Sequence, residues 1–89
     1  MNIPTLYHPT GKANFYIITE NDGVAETEFA FSYSTCIGVQ DHGARAVVIA
    51  ENEWGTTTGR HLNWLTAEWG GTKADRVPHD ELLEVVTDA

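Results

Sequence analysis

The chain has 89 residues, of which 42% are hydrophobic and 10% aromatic, with thirteen acidic side chains against five basic ones and a formal charge of −8. That length fits one small domain, 1–89, burying only about 60–65% of the surface its unfolded form would expose. The composition speaks against disorder, and a core this thin leaves few side chains for an enclosed active site.

Charge and cysteine content narrow the function classes further. Binding to a nucleic-acid backbone draws on clustered Lys and Arg that release counterions. Here Lys12, Arg45, Arg60, Lys73 and Arg76 stand singly along the sequence, so direct nucleic-acid binding is not expected. A basic partner surface suits the acidity better, although acidity also serves solubility alone. Cys36 is alone, which excludes an internal disulfide and a thiolate zinc site. The first thirty residues show neither a signal-peptide pattern nor a bilayer-length apolar run, so a cytoplasmic location without membrane attachment is expected, the host cytoplasm if a phage encodes the chain.

In chain order, residues 1–13 carry Pro4, Pro9 and Gly11 and read as an arm or loop. "NFYIITE" (14–20) is aromatic and β-branched, a strand closed by turn residues at 21–23. From Phe29 to Val39 large side chains (Phe29, Phe31, Tyr33, Thr35, Ile37, Val39) alternate with small ones (Ala30, Ser32, Ser34, Cys36, Gly38), predicting one strand with a bulky face and a face that a helix could approach closely. Asp41-His42-Gly43-Ala44 then connects to a strand over "RAVVIAEN" (45–52) as an antiparallel hairpin.

Two helices follow. Over 58–69, Leu62, Leu65 and Trp69 fall in one arc at about 100° per residue, so they are the predicted inward face. Thr56, Thr57 or Thr58 supplies a capping hydroxyl, and Gly70-Gly71 ends the helix. The second helix opens at Pro78, with Leu82, Leu83, Val85 and Val86 on one side and Asp80, Glu81, Glu84 and Asp88 opposite. The predicted fold is α+β: a three-stranded antiparallel meander followed by two helices.

Two readings compete for "TTGRH" (57–61). One is a helix start and nothing more. The other is an anion site in which Thr57, Thr58, Arg60 and His61 hold a phosphate at the positive end of the helix, in a ligand-binding or enzymatic domain. The Walker and dinucleotide glycine patterns are absent. Arg60, Trp64 and Glu68 form a stripe facing away from the leucines, bordered by His61, with the residue chemistry of a binding hot spot. Coverage of Trp64 by the second helix or the N-terminal arm is the competing expectation. The histidines His8, His42, His61 and His79 lack metal-ligand spacing, and no cofactor is indicated. Ser32, Ser34 and Cys36 have no acid or histidine placed beside them by spacing, so no catalytic residue is assigned.

Ser32, Tyr33, Thr35 and Ile37, followed by a strand and then by Thr57, Thr58, Arg60 and His61, resemble a module of small uncharacterised proteins from bacteriophages and other prokaryotic viruses. In that module a Ser-Tyr-x-Thr-x-Ile strand precedes a Thr-Thr-x-Lys/Arg-His helix start. The resemblance covers the middle third of the chain and implies an origin more than an activity. The expected function is that of a phage accessory protein that binds a host or viral protein without catalysis. Its contact surfaces would be Arg60, His61, Trp64 and Glu68, and the acidic face Asp80, Glu81, Glu84 and Asp88. Inhibition of a host nuclease or defence complex suits the charge. A structural or assembly protein that self-associates is the further alternative.

Overall fold

A computed structural model of the chain describes residues 4–21, 23–72 and 75–88, without the Asp88 side chain. Five strands run in sequence order as one antiparallel meander: β1 (Thr5–Tyr7), β2 (Phe15–Asn21), β3 (Glu26–Ser32), β4 (Thr35–Asp41) and β5 (Ala46–Ile49). Two helices follow, α1 (Thr56–Trp69) and α2 (His79–Asp88). The α+β class and the pair of helices match the sequence reading; three strands do not, and the count is corrected to five.

Both extra strands have a local cause. Part of the expected N-terminal arm pairs with β2 through Leu6↔Ile18 and becomes the edge strand β1. The long strand expected over 29–39 is two strands, because Ser32 pairs with Thr35 and the chain reverses at Tyr33-Ser34. Tyr33 takes a left-handed φ of 58°, the backbone state that a tight hairpin needs and that glycine normally supplies. Its N–H donates to the Asn14 carbonyl at 2.7 Å, which ties the turn to the start of β2.

The helices lie on opposite faces of the sheet. α1 buries Leu62 and Leu65 against Phe15, Ile17, Ala30, Ile37 and Ile49, with Trp69 packed alongside. It reaches the sheet over the small residues: a Cβ placed on Gly38 would stand 3.0 Å from Leu65 Cδ1 and 3.1 Å from Trp69. A bulge between Ala30↔Gly38 and Phe31↔Cys36 turns Ile37 to the α1 side, so the expected bulky and small faces exchange members there. On the other face Leu82 packs with Cys36, Val39 and Ala50, flanked by Phe29, Phe31, Val48, Val77 and Val86.

The α2 face is narrower than its helical wheel suggests. Leu82 is fully buried, whereas Leu83 and Val85 stay exposed. The helix is held at its start by a residue from afar, since the His79 N–H donates to the Glu53 carboxylate at 2.9 Å. Val77 bridges Ala50 in parallel beside β5 and leads the chain from one face of the sheet to the other. Among the described residues no helix is long and apolar enough to cross a membrane.

Candidate functional site

The capping answer to "TTGRH" differs from the sequence reading. Gly55 occupies the cap position of α1 and offers no side-chain oxygen to the free N–H groups of the first turn, so none of the three threonines is the cap. Asn52 organises the entry instead. Its Nδ2 donates to the Gly55 carbonyl at 3.1 Å, and its Oδ1 accepts the Trp54 N–H at 3.1 Å. The same amide explains Gly59, because a Cβ at that position would lie 2.9 Å from Asn52 Nδ2.

Thr58 and His61 turn inward, away from any phosphate held at the surface. Both meet Ser32 at the end of β3: Ser32 Oγ is 2.7 Å from His61 Nδ1 and 2.9 Å from Thr58 Oγ1. The three are 2%, 6% and 7% exposed for Ser32, Thr58 and His61. The His61 ring stacks on Phe15, with centroids 4.4 Å apart and planes 9° apart. Burial, and then the nearby Lys12 charge, push the His61 pKa below its ordinary value, so the ring is neutral at pH 7. A neutral ring with an unprotonated Nδ1 can accept a hydrogen bond from the Ser32 hydroxyl while Ser32 Oγ accepts from Thr58, so the buried polar atoms satisfy one another.

Ser32 and His61 have the separation of a nucleophile and its base. The rest of such a site is missing from the described residues: no carboxylate is bonded to the His61 ring, and none of the three residues lines the cavities of about 530, 500 or 410 Å³. Ser32 is also too deeply buried to meet a substrate. The cluster is a structural clasp between β3 and α1. Thr57 and Arg60, exposed on the helix, do not join it, so Thr57, Thr58, Arg60 and His61 have no common focus.

The expected surface stripe is divided in the same way. Arg60 and Glu68 are exposed and Trp64 is half-buried. The Trp64 and Phe15 rings meet in a T-shaped contact, with centroids 5.4 Å apart. His61 is not a surface residue at all. Among the described residues nothing from α2 packs with Trp64, because α2 lies on the opposite face. Asp80, Glu81 and Glu84 are exposed on α2 as expected, and the Asp88 side chain lies outside the described residues.

The sequence reading missed the concavity beside α2. That short helix covers β4 and part of β3, and leaves a groove of about 530 Å³ over β2 and β3. Ile18, Phe29, Phe31 and Val86 give it apolar walls, with Thr27 and Glu20 at its polar side. Pairing places Leu6, Ile18, Phe29 and Val39 in one row across the sheet. Leu6, 54% exposed, continues that apolar row onto the edge strand β1, outside the groove wall itself. The signal in the sequence was the mismatch between a ten-residue helix and five strands of apolar sheet, visible only once all five strands are counted.

With this geometry in place, comparison with known proteins adds a family. The sequence pattern of the Family of unknown function (DUF8033) matches residues 1–84. The chain belongs to that family. Its match runs from the first residues into α2, so the clasp, the edge strand and the groove wall apart from Val86 lie within it. No curated protein and no solved structure matches the chain. Among the described residues, no group of three or more His, Cys, Asp or Glu side chains is arranged to hold a metal ion.

Proposed function

We propose that the protein acts as a binding module without catalysis, taking an apolar, positively charged segment of a partner protein into the groove beside α2. The groove itself carries this reading. It is a concave apolar surface left open by the protein's own helix, with Glu20 at its side and no Lys or Arg among the described residues of its wall. The exposed Asp80, Glu81 and Glu84 on α2 and the net charge of −8 favour a basic partner. A second copy of the chain would bring the same negative charge and be repelled, so self-association ranks below a foreign partner.

The Ser-Tyr-x-Thr-x-Ile and Thr-Thr-x-Arg-His segments support a phage accessory role, with a host nuclease or defence protein as partner. Such proteins normally hold nucleic acid on a basic surface that an acidic protein can occupy. The exposed Arg60 and Glu68 beside half-buried Trp64 offer a second contact surface on the α1 side. Affinity capture from host lysate separates the two surfaces. Ile18→Lys should abolish recovery of the partner and Arg60→Ala should leave it unchanged; the reverse pattern would move the binding site to α1.

A further inference from the structure

A second cavity, of about 410 Å³, opens where α1 ends, and its wall contains Arg45, Trp69, Thr72, Asp75 and Arg76. Two of the five Lys and Arg side chains of an acidic chain, far apart in sequence, thus face one concavity. Arg45 comes from the β4–β5 connection and has a left-handed φ of 55°. Arg76 follows the loop after α1 and is held in place: its Nη2 donates to Asn63 Oδ1 and to Thr66 Oγ1, each at 3.0 Å.

Those two bonds do not satisfy the guanidinium. Its Nε is buried and has no hydrogen-bond partner. Burial also pushes the Arg76 pKa down from its ordinary value, a cost that a bound anion would relieve. Asp75 does not form an ion pair with it. One Asp75 oxygen, Oδ2, accepts from both the N–H and the hydroxyl of Thr72, at 2.9 and 3.1 Å. Trp69, half-buried, adds an aromatic surface to the same wall.

The geometry points to a small-ligand site in this cavity for a phosphate or carboxylate carried on a planar ring, with the oxyanion between Arg45 and Arg76 and the ring against Trp69. Arginine forks suit both oxyanions, and an indole face suits a planar group. The volume lies in the ordinary range for small-molecule pockets, roughly 300–1,000 Å³. This site stands on the α1 side of the sheet and does not depend on the groove.

The test is an amide and indole NMR titration of the full chain with adenosine monophosphate, benzoate, inorganic phosphate and adenosine. Adenosine monophosphate or benzoate should give saturable shifts at the Trp69 indole N–H and at residues 70–72, and the tighter of the two identifies the oxyanion. Inorganic phosphate should bind the same signals more weakly, and adenosine should not bind. Arg45→Gln, at an exposed position, should lower affinity about tenfold or more with an unchanged melting temperature. Arg76→Lys, which keeps the charge and loses the fork, should weaken binding as well. The site is refuted if neither ring-bearing anion saturates below about 10 mM, tenfold weaker than a ligand of about 1 mM. Adenosine binding as tightly as its monophosphate, or Arg45→Gln retaining affinity within twofold, would also overturn it.

Discussion

Replacing Ser32 by alanine tests whether the clasp between β3 and α1 carries stability. Ser32 is 2% exposed, and its hydroxyl lies within hydrogen-bond distance of two other buried groups, at 2.7 and 2.9 Å. Removing it leaves His61 Nδ1 and Thr58 Oγ1 to bond elsewhere or remain unpaired. A buried polar group stripped of its partner costs about 1–3 kcal/mol, and the volume lost is only one oxygen. For a domain of this size each kcal/mol lowers the melting temperature by about 4–8 °C, so a fall of about 4–24 °C is expected. Thermal and urea unfolding followed by circular dichroism at pH 7.5 would measure it. Adding Thr58→Val should cost less in the Ser32→Ala background than in the wild type, because the bond between the two hydroxyls is already gone. A change in melting temperature below about 2 °C for Ser32→Ala, or strict additivity in the cycle, would refute the clasp.

The His61 pKa lies below its ordinary 6.5, so between the two values the unfolded chain binds more protons than the folded one. Stability from this group is complete above about pH 6.5 and declines as pH falls towards the folded value, by about 1.4 kcal/mol per unit of difference. His61→Gln should be less stable at pH 7.5 and flatter between pH 7 and 5; an equal slope would show that His61 is not the group responsible. Leu82→Ala removes the fully buried anchor of α2 and should cost about 2–5 kcal/mol. A ten-residue helix has little stability alone, so helical circular dichroism should fall with it, and an unchanged spectrum and melting temperature would count against that anchoring. Asn52→Ala should cost about 1 kcal/mol by freeing the entry to α1, read as a lower urea midpoint.

Periodicity was a good guide where one element carried its own pattern. Leu62, Leu65 and Trp69 identified the inward face of α1, and Ala30, Ser32 and Gly38 form the smooth surface beneath it. It failed where alternation continued through a reversal. Tyr33 is not a residue that announces a turn and a single Ser34 beside it is a weak signal, and Tyr33 occupies a backbone state that its side chain does not advertise. β1 was hidden for another reason: three residues between prolines are too few to show alternation, and only pairing with β2 makes them a strand.

The clasp was illegible because Ser32 and His61 are 29 positions apart, and no local spacing links them. The pairing of the two short motifs around positions 32 and 58–61 was the available hint. Leu83 and Val85 show the limit of a helical wheel: it finds the apolar side of α2 but not how wide a sheet surface will cover it. The groove follows from that same mismatch.

Photo-cross-linking in the cells that produce the protein tests the groove most directly. A benzophenone side chain in place of Ile18, on the groove wall, should capture one partner with an apolar, Lys- or Arg-rich segment, while the same group at exposed Ala67 on α1 should not. Capture of that partner at Ala67 and not at Ile18 would contradict the account.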